Sequence, residues 1–181
     1  MRHGLSTAMA MALLLISALT ASAQTSQPSY PDTTAGLKQL FKDLLSASGA
    51  KDQRAVVSLA QSMVLPNAQQ WFTTTFGETV APRMFKEYQE TASRVDLELS
   101  VKFLALKEPD KLEITVQRVE ASDDLNSRIF QRLALAAMRE PTALYSVTVS
   151  LPGTSAKIEI WNIVYVGGAF RVAGKMQAIR G

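Results

Sequence analysis

Toward its C-terminus the chain carries three β-forming runs, 143–151, 157–166 and 169–176, separated only by Pro152-Gly153 with a few small residues and by Gly167-Gly168. Gly-Gly supplies the positive φ angles that a two-residue hairpin turn needs, and Pro-Gly suits a slightly longer loop. Runs joined so tightly must fold back on one another, so an antiparallel meander with long strands is expected. Such a sheet leaves one face apolar, and the upstream chain has to cover it. Strict alternation along 157–166 places Ile158, Ile160 and Val164 on one face and Glu159, Trp161, Ile163 and Tyr165 on the other. If the aliphatic set faces the helices, the aromatic set forms an outer patch of the kind that is usually covered by a second copy or a partner.

The upstream chain reads as helical. Asp32 or Thr33 can cap a helix in which Leu37, Leu40, Phe41, Leu44 and Leu45 share a face before Gly49 ends it. A second helix from about Asp52 presents Val56, Val57, Leu59, Ala60, Met63 and Val64, and Pro66 stops it. Asn67 and Gln70 predict a cap for a short piece holding Trp71 and Phe72, Gly77 breaks it, and Pro82 opens a third helix with Phe85, Tyr88, Ala92 and Val95 on one side.

Residues 95–106 satisfy two templates. Val95, Leu97, Leu99, Val101 and Phe103 alternate with polar neighbours as a half-buried strand would, while Val95, Leu99, Phe103 and Leu106 also continue the preceding helical stripe. The Leu-rich composition leans toward helix. A turn at Pro109-Asp110 follows, then a strand through Leu112, Ile114 and Val116. A further helix is opened by Ser122 or Asp123, carries Ile129, Leu133, Ala136 and Ala137, and is stopped by Pro141. Helices first and strands after make an α+β class, with the N-terminal helices packed on one face of a curved antiparallel sheet.

Residues 1–23 read as a cleavable export signal: Arg2 and His3, an apolar run over 8–19, then Ala21-Ser22-Ala23. The apolar run is shorter than a membrane span, so cleavage after Ala23 and a periplasmic or secreted protein with no membrane span are expected. The Ser-, Gln- and Pro-containing stretch that follows is expected to be a disordered leader over 24–35, ahead of a single α+β domain over 36–181.

Composition then removes chemistries. The chain has no Cys, and its single His is His3, so a chain cleaved after Ala23 has neither. Imidazole is the usual base near neutral pH, the usual partner of a nucleophilic serine and a common transition-metal ligand. Those sites are closed, and disulfide chemistry with them. The adjacent acids Asp123-Asp124 lack the alternating acids and glycine of a calcium loop and suit a helix start better. No metal or other cofactor is expected. The net charge of +3 is small and its basic residues are scattered, which argues against nucleic acid as a partner.

Two or three helices, a strand and a meander ending in Trp161-Asn-Ile-Val-Tyr-Val-Gly-Gly-Ala-Phe-Arg-Val-Ala-Gly174 together resemble the nuclear transport factor 2-like superfamily. The resemblance covers about 36–176 and is close over the final hairpin. It implies a cone of helices and concave sheet around a pocket, and often a homodimer through the sheet. The superfamily holds both isomerases or cyclases and catalytically silent binding domains, so fold alone assigns no activity. Its enzymes commonly use an Asp with a His or Tyr. Without His, and with no Asp on the meander strands, no catalytic residue is carried over and the reading leans against an enzyme. Trp71, Tyr88, Tyr145, Trp161, Tyr165 and Arg171 are the candidate ligand-binding or interface residues. The expected function is an exported, non-catalytic binding or interaction domain of the cell envelope taking a small apolar ligand. The alternatives are a self-associating envelope accessory protein and a carboxylate- and Tyr-dependent isomerase or cyclase-like enzyme.

Overall fold

A computed structural model of the chain describes residues 29–121, 124 and 127–180. The export signal over 1–23 and the helix-opening pair Ser122 and Asp123 lie outside the described residues. The elements are α1 (Thr34–Gly49), α2 (Gln53–Ser62), α3 (Ala68–Thr91), α4 (Val95–Leu104), β1 (Glu113–Val119), α5 (Ile129–Ala137), β2 (Leu144–Ser150), β3 (Lys157–Val166) and β4 (Ala169–Val172), with 3₁₀ turns at Pro109–Lys111 and Gln177–Arg180. Helices and one antiparallel sheet make the fold mixed α+β. The strands lie in the order β1-β2-β3-β4, so the insertion of α5 leaves the meander intact.

Helices α1 and α2 follow their periodicity closely, whereas α5 starts only at Ile129 and buries Gln131, Ala134 and Leu135 in place of the expected stripe of Ile129, Leu133, Ala136 and Ala137, leaving Ile129 54% exposed. The Thr33 side chain accepts a hydrogen bond from Gly36 N at 3.0 Å, and Leu37, Leu40, Phe41, Leu44 and Leu45 of α1 are all buried. Asp52 caps α2 by accepting from Ala55 N at 3.0 Å. The expected Asn67 cap does not form: Asn67 adopts the left-handed conformation (φ 47°) and makes no capping bond with its side chain. Gly77 interrupts α3 with φ 77°. It also admits Arg139, since a Cβ there would stand 2.6 Å from Arg139 Nη2.

Residues 95–104 are helical. Val95, Leu99 and Phe103 are buried, the Phe41 and Phe103 rings lie 6.0 Å apart, and Ser48 Oγ donates to the Phe103 carbonyl at 2.5 Å. The other apolar residues of the alternating pattern fall outside, with Leu97 58% and Val101 60% exposed. A helix wins because α1 and α2 offer a groove for one stripe.

The folded part reaches further toward the N-terminus than a leader ending at residue 35 would allow. Tyr30 is buried, and its hydroxyl donates to Asp43 Oδ2 of α1 at 2.7 Å. Tyr145 of β2 donates to Asp32 Oδ1 at 2.7 Å, and Tyr165 of β3 donates to the Tyr30 carbonyl at 3.0 Å. Three tyrosines therefore fasten the segment 30–32 across α1 and the sheet.

Alternation along β3 is not strict. Tyr145 pairs with Ile163 and Val147 with Ile160, so Trp161 and Asn162 together oppose Ser146, and Asn162 takes φ 53°. This bulge exchanges the faces of everything after it. Ile163 and Tyr165 turn to the side of Ile158, Ile160, Tyr145 and Val147, while Val164 joins Trp161 on the other. The expected outer patch of Trp161, Ile163 and Tyr165 does not form, and Ile163 is fully buried. Asn162 holds the bulge by donating from Nδ2 to the carbonyls of Gly174 (2.8 Å) and Lys175 (3.0 Å). The last strand accordingly ends at Val172 rather than at Met176, and residues 173–176 peel away against the bulge.

Helices cover both faces of the sheet, not one. The segment 30–32 and α1 lie on the Tyr145 face, whereas α5 lies on the other, where Gln131 Nε2 donates to Ser146 Oγ at 2.9 Å. The positive φ angles of Gly167 (59°) and Gly168 (78°) make the expected tight turn between β3 and β4.

Candidate functional site

The six residues singled out by sequence do not converge. Trp71 and Tyr88 belong to an aromatic cluster within α3, with the Trp71 ring edge-on to Phe72 at 4.9 Å and Tyr88 5.7 Å from Phe72. Burial raises the Tyr88 hydroxyl above its ordinary value. Tyr145 and Tyr165 pack edge-on against Phe170 at 5.3 Å and 5.0 Å and hold segment 30–32. Burial, reinforced by Asp32, keeps the Tyr145 phenol well above its ordinary range, so it acts as a donor and not as a base. Trp161 lies on the opposite face, half-buried beneath the start of α5. The Arg128 guanidinium sits 4.0 Å from its ring centroid and the Phe130 ring 5.8 Å away.

Arg171 is a clamp between β4 and the end of α2. Its Nη1 donates to the carbonyls of Ser62 and Val64, the latter at 3.2 Å, beside the bond from Val172 N to the Met63 carbonyl at 2.8 Å. A cation is favoured where helix carbonyls run out of partners, and burial lowers its pKa without removing the charge. Arg171→Met is expected to cost about 1.5–3 kcal/mol, the usual worth of hydrogen bonds to a charged group, with Arg171→Lys recovering part of it. Urea denaturation midpoints would show this, and an unchanged midpoint for the Met variant would remove the clamp role.

A cleft of about 400 Å³ lies elsewhere, at the end of the sheet beyond α4. Its walls are Leu106, Leu112, Val149, Leu151, Ala156 and Ile158, with Lys107, Glu108 and Lys157 among its lining residues. The fold produces it simply. Val149 and Ile158 are cross-strand partners and present neighbouring side chains on one face, with Ile114 on the far side of Val149. The covering segment between α4 and β1 turns away at Pro109–Lys111, leaving the strand ends open. A larger groove of about 780 Å³ runs between α1 and the start of β1, but Lys38, Lys42, Asp110 and Glu113 line it with both signs of charge. The smaller cleft is the one built for an apolar group.

None of the six predicted residues lines this cleft. Its walls escape a sequence reading because Leu112, Val149, Leu151 and Ile158 read there only as the apolar residues of alternating strands, and Ala156 falls between two strands. Among the described residues no group of three or more Asp, Glu, His or Cys side chains is placed to hold a metal ion, and no helix is long and apolar enough to cross a membrane. Comparison with known proteins gives no match to any family model, any curated protein or any solved structure.

Proposed function

We propose that the protein is an exported, non-catalytic binding domain that takes a small apolar ligand in the cleft between the α4–β1 connection and the β2–β3 hairpin. The observation that carries this reading is the wall of six apolar side chains around a space at the small end of the usual ligand range of about 300–1,000 Å³. A resemblance to the nuclear transport factor 2-like superfamily is compatible with it, since helices lie against an antiparallel sheet in both. The binding place proposed is the open end of the sheet rather than the interior of a cone. The tyrosines support a binding role over catalysis, because their hydroxyls are spent on Asp43, Asp32 and the Tyr30 carbonyl.

The test is titration with the uncharged fluorophore N-phenyl-1-naphthylamine, which brightens in apolar surroundings. Saturable binding is expected. Ala156→Trp fills the cleft from an exposed hairpin position and is expected to weaken binding by about tenfold, equivalent to about 1.4 kcal/mol. Equal binding by both proteins would move the ligand out of this cleft.

A second reading, self-association in the envelope, draws on a different observation. Leu97 and Val101 are one turn apart on α4 and both exposed, beside the Glu98–Lys102 pair. A monomer at high concentration in sedimentation would end it.

A further inference from the structure

Resting on the reading of the cleft as a ligand site, we infer that its ligand is a single-chain amphiphile with an anionic head, bound as a free monomer with its tail on the apolar wall and its head at Lys107. Charge at the rim selects the head group. Three charged residues line the cleft. Glu108 is engaged by Lys111 at 2.5 Å, and Lys157 by Glu159 at 3.1 Å. Glu159 is also shared with Arg128 at 3.3 Å, so no spare carboxylate is left on that side. Lys107 has no ion-pair partner among the described residues.

The cleft thus offers apolar walls and a rim with an excess of positive charge, since Lys107 is unpaired among the described residues and Lys157 shares Glu159 with Arg128. A neutral ligand would leave Lys107 unused, and a cationic one would meet like charge. Of the nearby carboxylates, Glu108 is paired with Lys111, and Asp110 lines the separate groove between α1 and β1. Lys107 also extends from a connecting segment rather than a helix interior, so its long stem can lie along the wall while its ammonium group stays wet. An anion at the rim needs no desolvation of the lysine, which keeps the expected preference modest.

The experiment compares decanoate, 1-decanol and decylammonium, all below the concentrations at which they self-assemble. Binding is followed by calorimetry and by amide chemical shifts of residues 106–112 and 149–158 in the intact protein. Decanoate is expected to bind about three- to fivefold more tightly than decanol, the worth of one exposed ion pair, and decylammonium least tightly. Lys107→Glu should invert the order of decanoate and decylammonium relative to decanol measured on the same variant. If decanol and decanoate bind equally, or decylammonium binds best to the native protein, the anionic head is wrong and the apolar cleft stands. If none of the three shifts the cleft amides, the ligand-site reading falls and this inference falls with it.

Discussion

Replacing Ile163 by aspartate is expected to abolish folding, while Trp161→Glu leaves a folded protein. Ile163 is fully buried, facing Tyr145 across the ladder and Val172 on the other side. An aspartate there has no counter-charge, and burying an unpaired charge exceeds the 4–5 kcal/mol or so at which single substitutions become exceptional. Trp161 is only half-buried, with Arg128 stacked on it, so a glutamate can turn to solvent and meet the guanidinium. Its loss removes the ring contacts with Arg128 and Phe130, about 1–2 kcal/mol. Circular dichroism and urea denaturation of the two variants decide the matter. Strict alternation along β3 would make the two residues equivalent, so similar behaviour would refute the bulge at Asn162.

Alkaline pH is expected to unfold the protein through Tyr30 and Tyr145. Both phenols are buried and donate to carboxylates, so deprotonation would set two negative oxygens against each other at the present 2.7 Å. Burial first, and the neighbouring Asp43 or Asp32 second, raises each above the ordinary value of 10.0. The sign follows from linkage. Above pH 10 the unfolded chain releases protons that the folded one retains, so stability is complete below pH 10 and falls as pH rises. The slope approaches about 1.4 kcal/mol per pH unit for each tyrosine that stays protonated in the folded state. The Tyr30→Phe, Tyr145→Phe double variant should be less stable near pH 7 yet lose distinctly less between pH 10 and 12. Lysine deprotonation affects both proteins alike and cancels in the comparison. Parallel stability curves would show that these hydroxyls do not couple folding to pH.

Much of the architecture was legible in the residues alone, because it depends on local constraints. The stripe Leu37–Leu45, the helix start near Asp52, the break at Gly77 and the Gly167-Gly168 turn each follow from backbone geometry within a few residues. The order of helices and strands follows from those signals in turn. Residues 95–104 were ambiguous for a reason that no window can remove, since apolar residues at both periods leave the choice to whatever surface the segment meets. Here that surface was the groove of α1 and α2, and the cost was leaving Leu97 and Val101 outside.

What only the tertiary structure decided depends on contacts between distant residues. The bulge at Asn162 exists because its amide can reach the carbonyls of Gly174 and Lys175, and through it one residue reversed the facing of Ile163, Val164 and Tyr165. Segment 30–32 has the composition of a leader, yet it is ordered by tyrosines at 145 and 165. The six candidate residues were chosen as side chains able to bind, and folding spent them on packing, straps and a clamp. The cleft was instead assembled from ordinary leucines, isoleucine, valine and alanine at the ends of strands. Residues of that kind acquire a role only when the chain that should cover them turns away, and the turn at Pro109–Lys111 is where it does so.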